Sequence, residues 1–367
     1  MDKLISAFQQ TPGESCIATA LSSYFKYQGW YNLSEAETWL LTGGGLGLYY
    51  FQPPSGSCQT SSAVHRYDKD WKNPLRRLIP RVRNHCFDLR NTTRDYLQIE
   101  ISKQSMDGQQ AAWEYTRSLL NAGLPQIVEV DIFYLPTFSY YYQKTHLWHL
   151  VTLLGYQDDS VFISEPHWQG TINRLDLMAA RDSLEYEHHK SGKINNTWWQ
   201  LTGPQNPAPI DAQLYRKVLF QAANYALTDQ TLPGSMAVTG SQAGQMFLEE
   251  IGVWQATRSE TDLILIMENM FHQLSRPESP AYCYKLTAEI LSNLAKEEEN
   301  APWVELAQEC SHLSQQWKQL ALIFLKGSKR KPSQSLTTVA SLLLALLTKE
   351  QALLGEMREV LSVAMGI

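Results

Sequence analysis

A chain of 367 residues that is 44% hydrophobic and 11% aromatic carries enough apolar side chains for one large core or two ordinary ones, which excludes a disordered or fibrous class. Its 31 Lys and Arg against 37 Asp and Glu leave a net charge of −6, which argues against nucleic acid as the main partner. Five widely spaced cysteines (16, 58, 86, 283 and 310) with no CxxC pair indicate neither a disulfide framework nor a zinc or other metal site.

The N-terminus, Met-Asp-Lys-Leu-Ile-Ser, lacks the charged lead-in and apolar run of a secretory signal. The longest uninterrupted apolar run, Val339 to Leu347, is about half of what a bilayer needs. The expectation is a cytoplasmic protein without a membrane segment, in which the Asn91-Thr-Thr and Asn195-Asn-Thr glycosylation patterns are coincidental.

The first informative stretch is Gln10-Thr-Pro-Gly-Glu-Ser-Cys16. Pro12 and Gly13 punctuate a loop, and Ile17, Ala18, Ala20, Leu21, Tyr24 and Phe25 then predict a helix over 16–28. Cys16 falls in its first turn, near the positive end of the helix dipole, where a thiolate is favoured. Ser34 with Glu37 three residues on predicts a capping box before Thr38, Trp39 and Leu40. Gly43-Gly-Gly-Leu-Gly47 has no GK[ST] ending and is not a phosphate loop; its glycines permit tight turns, and Leu48–Phe51 reads as a strand. Residues 66–83 are strongly basic, a solvated face or a docking patch for an acidic or phosphate-bearing partner. A helix is predicted over 108–122 and a strand over 126–132. An aromatic loop from Phe133 to Gln143 follows, either a pocket wall or plain packing.

His149 to Tyr156 and Val161 to Pro166 flank the polar turn Gln157-Asp-Asp-Ser160 and predict a β-hairpin. With Gln157 at the centre of the reversal, Val151 faces Ile163, Leu153 faces Val161 and His149 faces Glu165. A carboxylate on one ring nitrogen fixes the tautomer and supports the imidazolium. A one-residue slip would separate the two. His146 is the rival base, outside the hairpin. Cys58 and Cys86 are rival nucleophiles without a helix start behind them. Cys, then His, then a carboxylate, on helix, strand and strand, is the papain-like order, with Gln10, six residues before Cys16, as an oxyanion-holding amide.

Pro12-Gly-Glu-Ser-Cys16, Leu33-Ser-Glu35, Gly43 to Tyr50 and His149 to Tyr156 resemble the N-terminal domain of the butirosin biosynthesis protein H family. The likeness covers roughly residues 10–170. It implies an α+β, papain-like domain that moves an acyl group from the phosphopantetheine thioester of an acyl carrier protein to a small amine-bearing acceptor, through Cys16 as nucleophile with His149 as base. The family's acidic member is usually Asp before Pro; here it is Glu165. The family often has His before the nucleophile; here it is Ser15. No bound cofactor is implied. Arg76, Arg77 and Arg81 are the candidates for contacting the phosphopantetheine or the carrier protein.

Asn195 to Pro209 is polar and reads as a linker between a catalytic domain (1–200) and an all-α domain (210–367). Apolar positions at three and four spacing predict helices at Leu214–Ala226, Ser241–Trp254, Thr261–Leu274, Ala281–Ala295, Trp303–Leu325 and Ser335–Leu361. Ser241 is expected as an N-cap, and Lys326 to Pro332 as an exposed connection. Ala281 to Leu322 resembles the helical domain that follows in the family. Three uses stay open for this half: shaping the acceptor pocket, binding the carrier protein, or forming a homodimer. The functional expectation is acyl transfer in specialised-metabolite biosynthesis. The alternatives are a cysteine peptidase or amidase on the same triad and a non-catalytic scaffold that binds carrier protein.

Overall fold

The structure is a computed structural model that describes residues 3–51, 81–83, 89–144, 146–183, 187–188, 192–229, 237–298 and 301–367. The elements of the first part are β1 (Lys3–Leu4), α1 (Cys16–Tyr27), α2 (Glu35–Leu41), β2 (Tyr49–Phe51), β3 (Arg81–Arg83), α3 (Leu89–Leu97), β4 (Glu100–Gln104), α4 (Gln109–Asn121) and β5 (Gln126–Asp131). A 3-10 turn (Ile132–Tyr134) leads to β6 (Trp148–Gln157), β7 (Ser160–Glu165), β8 (Trp168–Asn173), α5 (Arg174–Arg181), β9 (Glu187–His188), β10 (Gly192–Lys193) and β11 (Trp198–Thr202). Then come α6 (Ala212–Leu227), β12 (Ala237–Val238), α7 (Gly240–Thr257), α8 (Glu260–Ser275), α9 (Pro280–Glu298), α10 (Ala301–Ser328) and α11 (Pro332–Met365). The class is α+β: an antiparallel sheet in the N-terminal part, then a helical C-terminal part.

Two compact units divide the chain. Among the described residues the first holds 3–38 and 90–208, and the second holds 39–51, 81–83, 89 and 209–367. The Gly43–Tyr50 motif therefore groups with the helices rather than with Cys16. The first unit is built on a seven-stranded sheet in the order β4-β11-β5-β6-β7-β8, with β1 added beside β6. Val128, Val130, Val151, Leu153 and Ile163 form its core with Trp113 of α4. β5 is buried along its whole length although half its residues are polar, because Glu129 accepts from Trp199 Nε1 and Asp131 from Ser183 Oγ. β11 pairs with both β4 and β5 and buries Trp198 and Trp199. The expected linker over 195–209 is thus shortened: its first part is an inner strand, polar-looking because Gln200 and Thr202 alternate outward.

Each expected helix of the second half is present, longer than its apolar period indicated. α10 runs to Ser328 and α11 starts at Pro332, so the connection expected over Lys326 to Pro332 shrinks to three residues. Proline at the first helical position costs no hydrogen bond, since that N–H has no partner inside a helix. Ser241 is not the cap of α7. Thr239 holds that place, and the Ser241 hydroxyl donates to Asp229, whose carboxylate also accepts the Gln242 N–H at 2.9 Å. β2 lies between β12 and β3 in a second, three-stranded sheet.

α11 bears on the expectation drawn from uninterrupted apolar runs. By length and composition it could cross a bilayer, with a mean hydropathy of 1.3 over its most apolar window. Of that window 39% is buried. Leu336, Val339, Leu343 and Leu346 recur at three and four spacing on the buried side, the pattern of a helix packed on protein.

Candidate active site

α1 begins at Cys16 because everything before it resists helix. Ser15 is extended at φ −84° and ψ 121°. Its Oγ accepts the Ala18 N–H at 3.3 Å, and its carbonyl accepts the Thr19 N–H at 3.0 Å and the Thr19 hydroxyl at 2.6 Å. The loop is clamped from α2. Glu35 Oε1 accepts the N–H groups of Glu14 and Ser15, both at 2.6 Å. Gly13 is what lets the carboxylate in: a Cβ there would stand 2.4 Å from the Glu35 carboxyl carbon. α2 itself starts on the expected capping box, with Ser34 N–H to Glu37 Oε2 at 2.7 Å and Glu37 N–H to Ser34 Oγ at 3.2 Å.

The hairpin forms, with a different register from the one expected. Near the turn Gln157 pairs with Ser160 and Tyr156 with Val161; beyond a bulge between Leu153 and Gly155, Leu153 pairs with Ile163 and Thr152 with Ser164. The turn is therefore Asp158-Asp159, with Asp158 at φ 50°, and His149 does not face Glu165 directly. Extending the inner register sets Glu165 opposite Val151, two places from His149 and on the same sheet face. Without the bulge the pairing would be offset by one residue and Glu165 would point to the other face. Gly155 beside the bulge also admits β1: a Cβ there would lie 2.0 Å from the Lys3 carbonyl oxygen.

The diagonal geometry brings His149 Nε2 to 3.6 Å from Glu165 Oε2, an ion-pair contact rather than a short hydrogen bond. The side chains are 19% and 7% exposed. Glu165 Oε1 accepts the His167 N–H at 3.2 Å, and Phe138 meets the His149 ring edge-on, centroids 5.1 Å apart. Burial alone would lower the His149 imidazole. The Cys16 sulfur, through charge and hydrogen bonding, and then Glu165 outweigh it and pull the ring up to about 9. Cys16 is half-buried, while Cys283 and Cys310 are fully buried in the second unit and pushed up by desolvation. Among the described residues no acceptor takes the Cys16 N–H.

Gln10 is tied to the strand that ends in Glu165. Its Oε1 accepts from Ser164 Oγ, which in turn accepts from Gln169 Nε2 at 2.9 Å, and its Nε2 donates to the Thr11 carbonyl at 3.2 Å. The rival base His146 is engaged elsewhere. Its Nδ1 lies 2.6 Å from Oδ2 of the fully buried Asp131, and its ring stacks on Phe133 at 4.1 Å. Asp131 also receives Ser183 Oγ at 2.8 Å and the N–H groups of Phe133 and Leu147 at 3.1 Å. Arg76, Arg77, Cys58 and Cys86 lie outside the described residues, and Arg81 opens β3. Sequence reasoning did not assign Glu35, Ser164 or Gln169. Only Glu35 had a signal, its place in the Leu33-Ser-Glu35 motif.

Residues 15–166 match the family model for butirosin biosynthesis protein H, N-terminal. The match opens one residue before Cys16 and closes one residue after Glu165, so it takes in the three clustered side chains and leaves β8 and everything after it unmatched. It bears out the resemblance read from the motifs and is consistent with an enzyme of a biosynthetic family. No curated protein matches the chain.

Proposed function

We propose that the chain is an acyltransferase that carries an acyl group from a carrier-protein phosphopantetheine thioester, through a Cys16 acyl-enzyme, to an amine in specialised-metabolite biosynthesis. The carrying observation is that one ring, His149, is held between the Cys16 sulfur and the Glu165 carboxylate at a raised pKa of about 9. With Nε2 turned to Glu165, Nδ1 is the nitrogen for the sulfur, and the imidazolium is the counter-ion of the attacking thiolate.

The thiolate attacks the thioester carbonyl, the C–S bond to the enzyme forms, and the pantetheine sulfur leaves with the proton of His149. The neutral ring then takes a proton from the incoming amine as its nitrogen bonds the acyl carbon and the Cys16 thiolate departs. The imidazolium is thereby restored, and protons balance over the cycle. The Cys16 N–H is the nearest main-chain donor for the oxyanion; a donor of this kind is worth about 3 kcal/mol. The Gln10 amide is the second candidate donor, with its oxygen already committed to Ser164. Arg76, Arg77 and Arg81 are proposed carrier or phosphate contacts on chemistry alone.

The test is mass spectrometry of the protein mixed with an acyl-pantetheine thioester. An acyl adduct on Cys16 that persists in buffer and is discharged by added amine supports transfer. An adduct lost to water at the same rate with or without amine supports the peptidase or amidase reading, and no adduct supports the scaffold.

A further inference from the structure

Glu35 is 7% exposed, and burying a carboxylate is costly unless strong hydrogen bonds compensate. Two main-chain N–H groups bond its Oε1, and both come from the two residues directly before Cys16. The pair fixes the Glu14 and Ser15 peptides, and Ser15 is the cap from which α1 starts. The direction of the Cys16 side chain and of its N–H is set by those peptides. Hydrogen-bond acceptance and charge are separable because glutamine keeps an oxygen with two lone pairs at the Oε1 position.

We propose that Glu35 is a positioning residue that aims Cys16 at His149 by accepting the Glu14 and Ser15 N–H groups, and that Gly13 serves the same end by leaving room for the carboxylate. This rests on Cys16 being the nucleophile.

The experiment is the rate of Cys16 alkylation by iodoacetamide between pH 5 and 9, read by peptide mapping, which needs no knowledge of the substrate. The wild type reacts through a Cys16 held beside His149, and Glu35→Ala, which releases the loop before the sulfur, is expected to lose at least tenfold at pH 6. Glu35→Gln stays within threefold of wild type because both bonds to the Glu14 and Ser15 N–H groups remain. Gly13→Ala, which keeps the Glu35 side chain but pushes its carboxylate aside, follows Glu35→Ala; it keeps the test open should Glu35→Ala not fold. Wild-type behaviour in Glu35→Ala or Gly13→Ala overturns the proposal, as does a Glu35→Gln as slow as Glu35→Ala. A wild type whose reactivity at pH 6 is unaffected by His149→Ala removes the nucleophile assignment instead, whatever the Glu35 variants do.

Discussion

Glu35 and Glu350 are both buried carboxylates that accept main-chain N–H groups, one in each unit, and they serve different ends. Glu35 takes two N–H groups from the loop that precedes Cys16. Glu350, 1% exposed on α11, accepts from Trp317 Nε1 at 3.3 Å and from the Leu48 N–H, with Tyr284 beside it. Its burden is desolvation, which outweighs those bonds and pushes it up to about 7. Its effect is to hold the end of the glycine-rich segment, where Gly47 sits at φ +75° and a Cβ would stand 2.7 Å from Ala226 Cβ. In the first unit Glu35 holds the loop before one half-buried sulfur; in the second Glu350 anchors a strand to helices. A buried charge is evidence of a site only when what it holds is reactive.

The contrast is broken most severely by His149→Ala. Acyl adduct formation at Cys16, measured by mass spectrometry, should fall by about 10²–10⁴-fold. The same measurement on Glu350→Gln should stay within threefold, and an equal loss in both variants would erase the distinction. Glu165→Gln keeps an acceptor and drops the charge, so adduct formation should fall roughly tenfold, less than removal of the base itself. A third comparison uses stability. Glu350 has a folded pKa raised from 4.5 to about 7, so its contribution is fully present below pH 4.5 and lost as pH rises through 7. The melting advantage of Glu350→Gln over wild type should therefore open between pH 5 and 8, with about 3 kcal/mol behind it. His149, raised from 6.5 to about 9, gives stability present below pH 6.5 and lost as pH rises through 9. The smallest effect expected is a wild-type margin over His149→Gln that narrows between pH 7 and 9.5 in the same melting experiment.

The helix start at Cys16, the capping box at Ser34 and the hairpin after His149 were legible because each depends on neighbours in sequence. The six helices after residue 210 were legible from period alone, with their ends extended by packing that periodicity does not encode. The hairpin register was not. A bulge beside Gly155 adds one residue to β6, and nothing in an apolar run marks where the extra residue goes. The same side chains met for a different reason, diagonally rather than face to face. The role of Glu35 was hidden because its partners are backbone N–H groups 20 and 21 residues away, which carry no side-chain signature. β11 was read as linker because two outward polar residues outweighed two buried tryptophans.

The shared proton between Cys16 and His149 is measured most directly by NMR titration of the His149 ring in wild type and in Cys16→Ser, with the resonance assigned by its loss in His149→Gln. The account predicts a midpoint near 9 in the wild type. Without the thiolate, only Glu165 opposes burial and the midpoint falls. A ring that titrates at the same pH in both proteins would contradict it.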